Sequence, residues 1–319
     1  MKRTAQAPAA GKSNGGSLTQ SERLQHLYTN MLKSRAFEER ARAFAKRKRL
    51  RAEYPAGLGH EAVEAGCTLD LEQRDVLAAG QRDWIADLVH GLPLHPFFSH
   101  LCKNAAATNG SAASARTSGA RSRQAGSLLP GAALSDGLAL AKSMSESGHV
   151  VVALSGIGSS FDDVWHEMFA AAGSERLPIL FVARNGLSAT AGKSGRTGKR
   201  PGHAFPSIPV DGHDAVAVYR VAHEAIRRAR RGGGPTLMEC KPYLLERGSN
   251  GRSAQAAARH SSLPPADPLM RMEQYLSGKG LFDHAWKRRV MEKFSSELDA
   301  AVEAAERELE QNGGSGGAR

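Results

Sequence analysis

The parts of this 319-residue sequence with the types and spacing for chemistry are two glycine-rich turns and the charged residues around them. The first is Ser155-Gly156-Ile157-Gly158-Ser159-Ser160, set between an apolar run and a helix-like segment. Small residues there leave backbone N–H groups open to an anion, and the start of a helix adds a favourable field. A tight turn that needs only small residues fits the same letters. Asp162 and Asp163 follow directly, and negative charge suits a helix N-terminus. Metal ligation is the other reading of the pair. The second turn region is the loop 184–209, rich in Gly and in cations: Arg184, Lys193, Arg196, Lys199 and Arg200. Such cations suit phosphate, or form a solvated or partner-facing surface. His166 and Glu167 either line a site or make a buried structural pair. His60 and His203 lack a spaced ligand partner and read as surface or turn histidines. Cys102 beside Lys103 reads as a thiol of lowered pKa or as an inert buried cysteine.

The elements that must hold these residues follow from periodicity. Thr19 and Glu22 have capping-box spacing, and Leu24, Leu27, Met31 and Leu32 share one face of the helix they open. That helix continues through Phe37 and Phe44 into the basic run 46–51, whose cations suit the negative end of a helix. The stretch 103–127 has no usable period and reads as a long loop. From there the order is a helix over 132–147, a strand over 149–154, a helix over 162–172 and a strand over 179–183. A helix starting at Asp214 ends in Arg227-Arg228-Ala229-Arg230-Arg231, with Gly232 as its stop, and a strand covers 235–240. Strands alternating with helices predict a doubly wound, mostly parallel α/β sheet. Ligands in such sheets sit at the carboxyl ends of the strands, which here are the 155–160 turn and the loop after Ala183. Trp286, Val290, Phe294, Leu298 and Val302 recur every four residues and predict a C-terminal helix packed on the body or a partner. Residues 1–18 and 311–319 read as disordered tails around one domain over 19–310.

Composition narrows the function classes. The net charge of +11 suits nucleic acid, a membrane surface, anionic small molecules or an acidic partner subunit. Aromatic residues are 6%, which argues against a stacking platform for nucleic acid. A basic polyanion-binding protein therefore ranks last. The apolar runs are strand-sized, too short for a bilayer. Cys67, Cys102 and Cys240 lie far apart and form no C-x-x-C pair, which points to the cytoplasm.

Read together, residues 156–186 (GIGSSFDDVWHEMFAAAGSERLPILFVARNG) carry a block that no single turn would reveal. The stretch resembles, without a gap, the thiamine-diphosphate motif of the alpha subunits of 2-oxo acid dehydrogenases. Gly156, Gly158, His166, Glu167, Leu177, Pro178 and Asn185 fall in register with it. Ser34-Arg35-Ala36-Phe37-Glu38-Glu39 resembles the opening helix of that family, and Gly59-His60-Glu61-Ala62 its Gly-Gln-Glu-Ala turn. The segment from Asp75 to Arg82 resembles the one that reaches the cofactor diphosphate. Val210 to Asp214 and Gly234 to Glu239 match two further blocks, so the likeness spans roughly residues 20 to 300.

The resemblance implies a thiamine-diphosphate-binding fold and oxidative decarboxylation of a 2-oxo acid, with acyl transfer to lipoyl. It implies a beta-type partner in a heterotetramer, and a lipoyl-bearing acyltransferase beyond it. Carried over by position, Arg82, Gly156, Gly158, Ser159, Asn185 and Ser188 would meet the cofactor. The two side chains that should ligate Mg²⁺ are replaced by Ile157 and Gly186. Magnesium requires near-octahedral oxygen ligands. Ile157 has none, and Gly186 has only its backbone. Around the catalytic loop only Tyr243 of the family's pattern survives, with His166 and Glu167 as further candidates. Between His223 and His260 there is no histidine to move a proton. The implied alternatives are an impaired dehydrogenase subunit and a non-catalytic scaffold or regulator of such a complex.

Overall fold

The computed structural model describes residues 20–47, 58–72, 74–78, 88, 93–99, 141–155, 164–184, 205–240 and 267–313. The long apolar runs of the sequence become the centre of a five-stranded sheet. Its strands are β1 (Val76–Ala78), β2 (Val151–Ser155), β3 (Ile179–Ala183), β4 (Ser207–Val210) and β5 (Thr236–Cys240). The strand order is β1-β2-β3-β5-β4, and every neighbouring pair is parallel. The expected α/β architecture is present.

Parallel strands need crossovers, and helices cover both faces. They are α1 (Gln20–Arg47), α2 (Glu61–Thr68), α3 (Val164–Ser174), α4 (Ala215–Arg230), α5 (Pro268–Gly278) and α6 (His284–Gly313). Alternation along each strand divides the core. Val152, Leu154, Leu180, Val182 and Met238 meet Val63 of α2 and Val218, Ala222 and Ile226 of α4. Val151, Ala153, Ile179, Phe181 and Leu237 face Met168, Phe169 and Ala172 of α3. Full burial of a side chain such as Phe181 or Leu154 stabilises the fold by about 1.5–3 kcal/mol.

Two more apolar clusters attach the outer helices. Phe37, Ala41 and Phe44 of α1 pack with Phe97, Phe98 and, from α6, Phe294, Leu298 and Val302. Leu27, Tyr28 and Met31 of α1 pack with Ala62 of α2 and Leu269, Met272 and Leu276 of α5. The four-residue spacing in the C-terminal segment thus marks a helix docked on α1. That helix, α6, runs to Gly313, into the segment expected as a tail.

Local signals at α4 behave as its sequence predicts. The Asp214 carboxylate accepts from the N–H groups of Val216 at 3.1 Å and Ala217 at 3.0 Å. At the other end Gly232 takes φ +74° and its N–H bonds the Ala229 carbonyl, while Gly233 N–H bonds that of Arg228. A different glycine sets the helix spacing: a Cβ on Gly66 of α2 would lie 2.7 Å from Val218 Cγ1 of α4.

Three elements differ from the sequence reading. β4 lies within the stretch expected to be loop, and β1 was not expected. Gly59-His60-Glu61-Ala62, read as a turn, is the entry to α2. Of the helix expected over 132–147, only residues from 141 are described, and 141–143 are helical. Among the described residues no helix is long and apolar enough to cross a membrane.

Candidate functional site

Because all five strands run parallel, their carboxyl ends share one edge, and the residues that follow them form its rim. β3 ends at Ala183 and hands on to Arg184. β4 ends at Val210 and leads through Asp211, Gly212 and His213 to the Asp214 cap of α4. β5 ends at Cys240. The start of α2 approaches the same edge, as its ion pair with Arg184 shows.

Arg184 is 3% exposed, and its Nη1 donates to Glu64 Oε1 of α2 at 3.1 Å. The sequence grouped this cation with the basic loop 184–209, whose cations suit phosphate or form a solvated or partner-facing surface. The structure corrects that reading. The guanidinium lies in the interior, and a carboxylate already faces it. Both side chains are almost wholly shielded, so desolvation is large and their mutual attraction must offset it.

His60 sits just before α2 and is fully buried, not a surface histidine. Among the described residues neither ring nitrogen has a hydrogen-bond partner. Burial first, then the charges of Arg184 and His213, drive its pKa down to about 3. The imidazole is therefore neutral at physiological pH. Burial also pushes the Cys240 thiol up to about 12, against the opposing pull of Arg184, and burial raises Cys67. Neither thiol is an activated nucleophile.

The turn after β4 is built from charges. His213 Nδ1 lies 2.9 Å from Asp211 Oδ1. Arg271 of α5 donates to Asp211 Oδ2 at 2.6 Å and to Asp214 Oδ2 at 2.8 Å. Burial alone would raise the Asp211 carboxyl, but the bond from Arg271 and the His213 N–H hold it below its usual range. A second, half-buried junction ties the helices behind the edge. Arg35 of α1 donates to Glu61 of α2 at 2.5 Å and to both oxygens of Asp267 at 2.9 and 3.0 Å. The Asp267 carboxylate also caps α5 through Leu269 N–H.

His166 and Glu167 fall in the first turn of α3, and their side chains are outside the described residues. Also outside are Arg82, Gly156, Ile157, Gly158, Ser159, Asn185, Gly186, Ser188 and Tyr243. Asp162, Asp163, Cys102, His203 and the cations Lys193, Arg196, Lys199 and Arg200 join them. The described framework therefore fixes where the two key loops start: one after Ser155 of β2, the other after Arg184 beyond β3. β2 and β3 are adjacent, with Ser155 paired to Ala183, so the described strands end side by side. Sequence reasoning missed the Glu64–Arg184 pair and the burial of His60. Glu64 reads in the sequence as a solvent-facing acid, so no local signal pointed to the pair.

Ligands in parallel sheets sit where adjacent strands end, and β2 and β3 end beside each other here. Among the described residues no group of three or more His, Cys, Asp or Glu side chains is placed to hold a metal ion.

Comparison with known proteins gives this edge a context. The pyruvate dehydrogenase E1 component subunit alpha of Staphylococcus epidermidis is 28% identical over 302 residues, covering 89% of this chain and 78% of that protein. The subunit of the same name from Staphylococcus aureus is 28% identical over 301 residues, with the same coverage. The chloroplastic alpha-3 subunit of Arabidopsis thaliana is 28% identical over 308 residues, covering 91% of this chain and 72% of its own length. The profile of the dehydrogenase E1 component matches residues 28–313, from α1 to the last residue of α6, and the chain belongs to that family.

Proposed function

We propose that this chain is an alpha-type subunit of a 2-oxo acid dehydrogenase in which magnesium-dependent thiamine diphosphate chemistry is impaired or lost. The family as a whole uses thiamine diphosphate, and its alpha subunits pair with a beta subunit. The observation that carries the reading is the residue pair Ile157 and Gly186 at the two side-chain ligand positions. A magnesium ion bridging a diphosphate needs hard oxygen donors, and this donor set does not fit it.

What remains suits the organic part of the cofactor better than its metal. Gly156, Gly158 and Ser159 would offer backbone N–H groups after β2, and Asn185 and Ser188 would line the loop after β3. Arg82 would meet the diphosphate as a fork of donors. The cations Lys193 to Arg200 would supply counter-charge if any group does so, since Arg184 already faces Glu64. Proton transfer is the weaker half of the site: Tyr243, His166 and Glu167 are its candidates, and no histidine follows β5 before His260.

The same replacements favour a second reading, a non-catalytic scaffold or regulatory subunit that keeps the fold and its assembly surface. Shared by both is a beta-type partner, with a lipoyl-bearing acyltransferase beyond it, and a cytoplasmic setting. Steady-state decarboxylation of a 2-oxo acid by the chain co-expressed with its beta-type partner separates them from an ordinary enzyme. Turnover in the usual range, about 1–1000 per second, would overturn the proposal. A rate at least about a thousandfold lower, from an assembled complex, is the expected result.

A further inference from the structure

A groove between α1, α4 and α5 has a volume of about 350 Å³. That is within the range of small-molecule sites. Leu24 and Val216 line it, together with Tyr219 and Tyr275. Two guanidiniums, Arg23 and Arg220, border the same space. Arg23 is held in place: its Nη1 donates to Tyr219 Oη at 3.0 Å, and that hydroxyl donates onward to Asp70 Oδ1 at 3.4 Å. The other Asp70 oxygen faces His223 Nδ1, so both oxygens of the acid at the base of this network are engaged. Arg220 is exposed and has no ion-pair partner among the described residues. Lys279 Nζ, outside the lining, stands 5.2 Å from the Tyr275 ring centroid.

We propose that this groove binds a small aromatic phosphate, its ring against Tyr219 and Tyr275 and its phosphate on Arg23 and Arg220. Phosphate geometry matches the planar donor fork of arginine, and a flat ring gains from both tyrosines. The segment 1–19, which precedes Gln20 of the groove in sequence, carries Lys2, Arg3 and Lys12 and no acid. Charge repulsion therefore disfavours it as the occupant and favours a free anion.

Phenyl phosphate, titrated calorimetrically into the full chain at about 0.15 M salt, tests this, with inorganic phosphate and benzyl alcohol as the two half-ligands. Phenyl phosphate should bind saturably and at least about tenfold more tightly than either half. Arg220→Ala should weaken it about tenfold or more while the melting temperature stays unchanged, because the residue is exposed and unpaired there. Arg220→Gln should behave the same way, and Tyr275→Leu should weaken the aryl ligand without affecting inorganic phosphate. The proposal falls if no probe saturates, or if inorganic phosphate binds as tightly as its phenyl ester. It also falls if the Arg220 variants bind like the wild type, which would move the site to another basic segment. None of these outcomes depends on thiamine diphosphate binding.

Discussion

Removing the guanidinium from the Glu64–Arg184 pair is the sharpest test of how the ligand edge is built. Both side chains are nearly sealed from water, at 4% and 2% exposure, and they meet at 3.1 Å across α2 and the end of β3. Replacing Arg184 with Met keeps much of the volume but leaves the Glu64 carboxylate buried without that cation. Breaking a buried pair in this way costs about 3–5 kcal/mol. With a urea slope of about 2–3 kcal/mol per molar, the midpoint should fall by roughly 1–2 M. The double variant Arg184→Met with Glu64→Leu removes both charges, and similar replacements elsewhere are neutral or stabilising by about 1–4 kcal/mol. Its midpoint should return to the wild-type value or above it. Equilibrium urea unfolding followed by circular dichroism reads both. A single variant that loses less than about 1 kcal/mol, or a double variant no better than the single, would refute the buried-pair argument.

Further outcomes follow from the same geometry. Gly66→Ala should destabilise by about 1–3 kcal/mol through the contact with Val218, visible as a lower melting temperature, and adding Val218→Ala should recover part of it. Asp214→Ala should cost about 1–2 kcal/mol, since it removes the α4 cap and a partner of Arg271, and Asp214→Asn should cost less. His60 has a folded-state pKa near 3, below its unfolded value, so the unfolded chain binds the extra proton between those two values. Stability from this group is present above about pH 6.5 and declines as the pH falls toward 3, by about 2 kcal/mol between pH 7 and 5. His60→Gln should flatten that part of the stability profile, and an unchanged slope would contradict the buried neutral imidazole.

The central strands were legible because they are buried on both faces. Val150 to Leu154 and Ile179 to Ala183 read as unbroken apolar runs, as strands covered by helices on both sides must. Asp214 and Gly232 were legible because capping is a local matter of one side chain and one backbone conformation. β4 was not. It is an edge strand of four residues containing Pro209, and only an edge tolerates a proline. β1, at three residues, is too short to show a period. α2 was hidden for a different reason. Glu61 and Glu64 look like solvent-facing residues, yet both are buried against arginines 26 and 120 positions away. Long-range ion pairs leave no periodic trace. His60 was misplaced by the same effect, because its burial follows from the packing around α2 and not from its neighbours in sequence. The ends of β2 and β3, where the sequence put the candidate site, lie beside each other, with Ser155 paired to Ala183.

The central claim concerns Ile157 and Gly186, and binding tests it more directly than turnover does. The measurement is calorimetric titration of thiamine diphosphate, with and without Mg²⁺, into the chain co-expressed and assembled with a beta-type partner. The account predicts no magnesium-dependent binding from a folded complex. Saturable binding that requires Mg²⁺ would contradict it, and would mean that other oxygens in the loops after Ser155 and Arg184 complete the metal site.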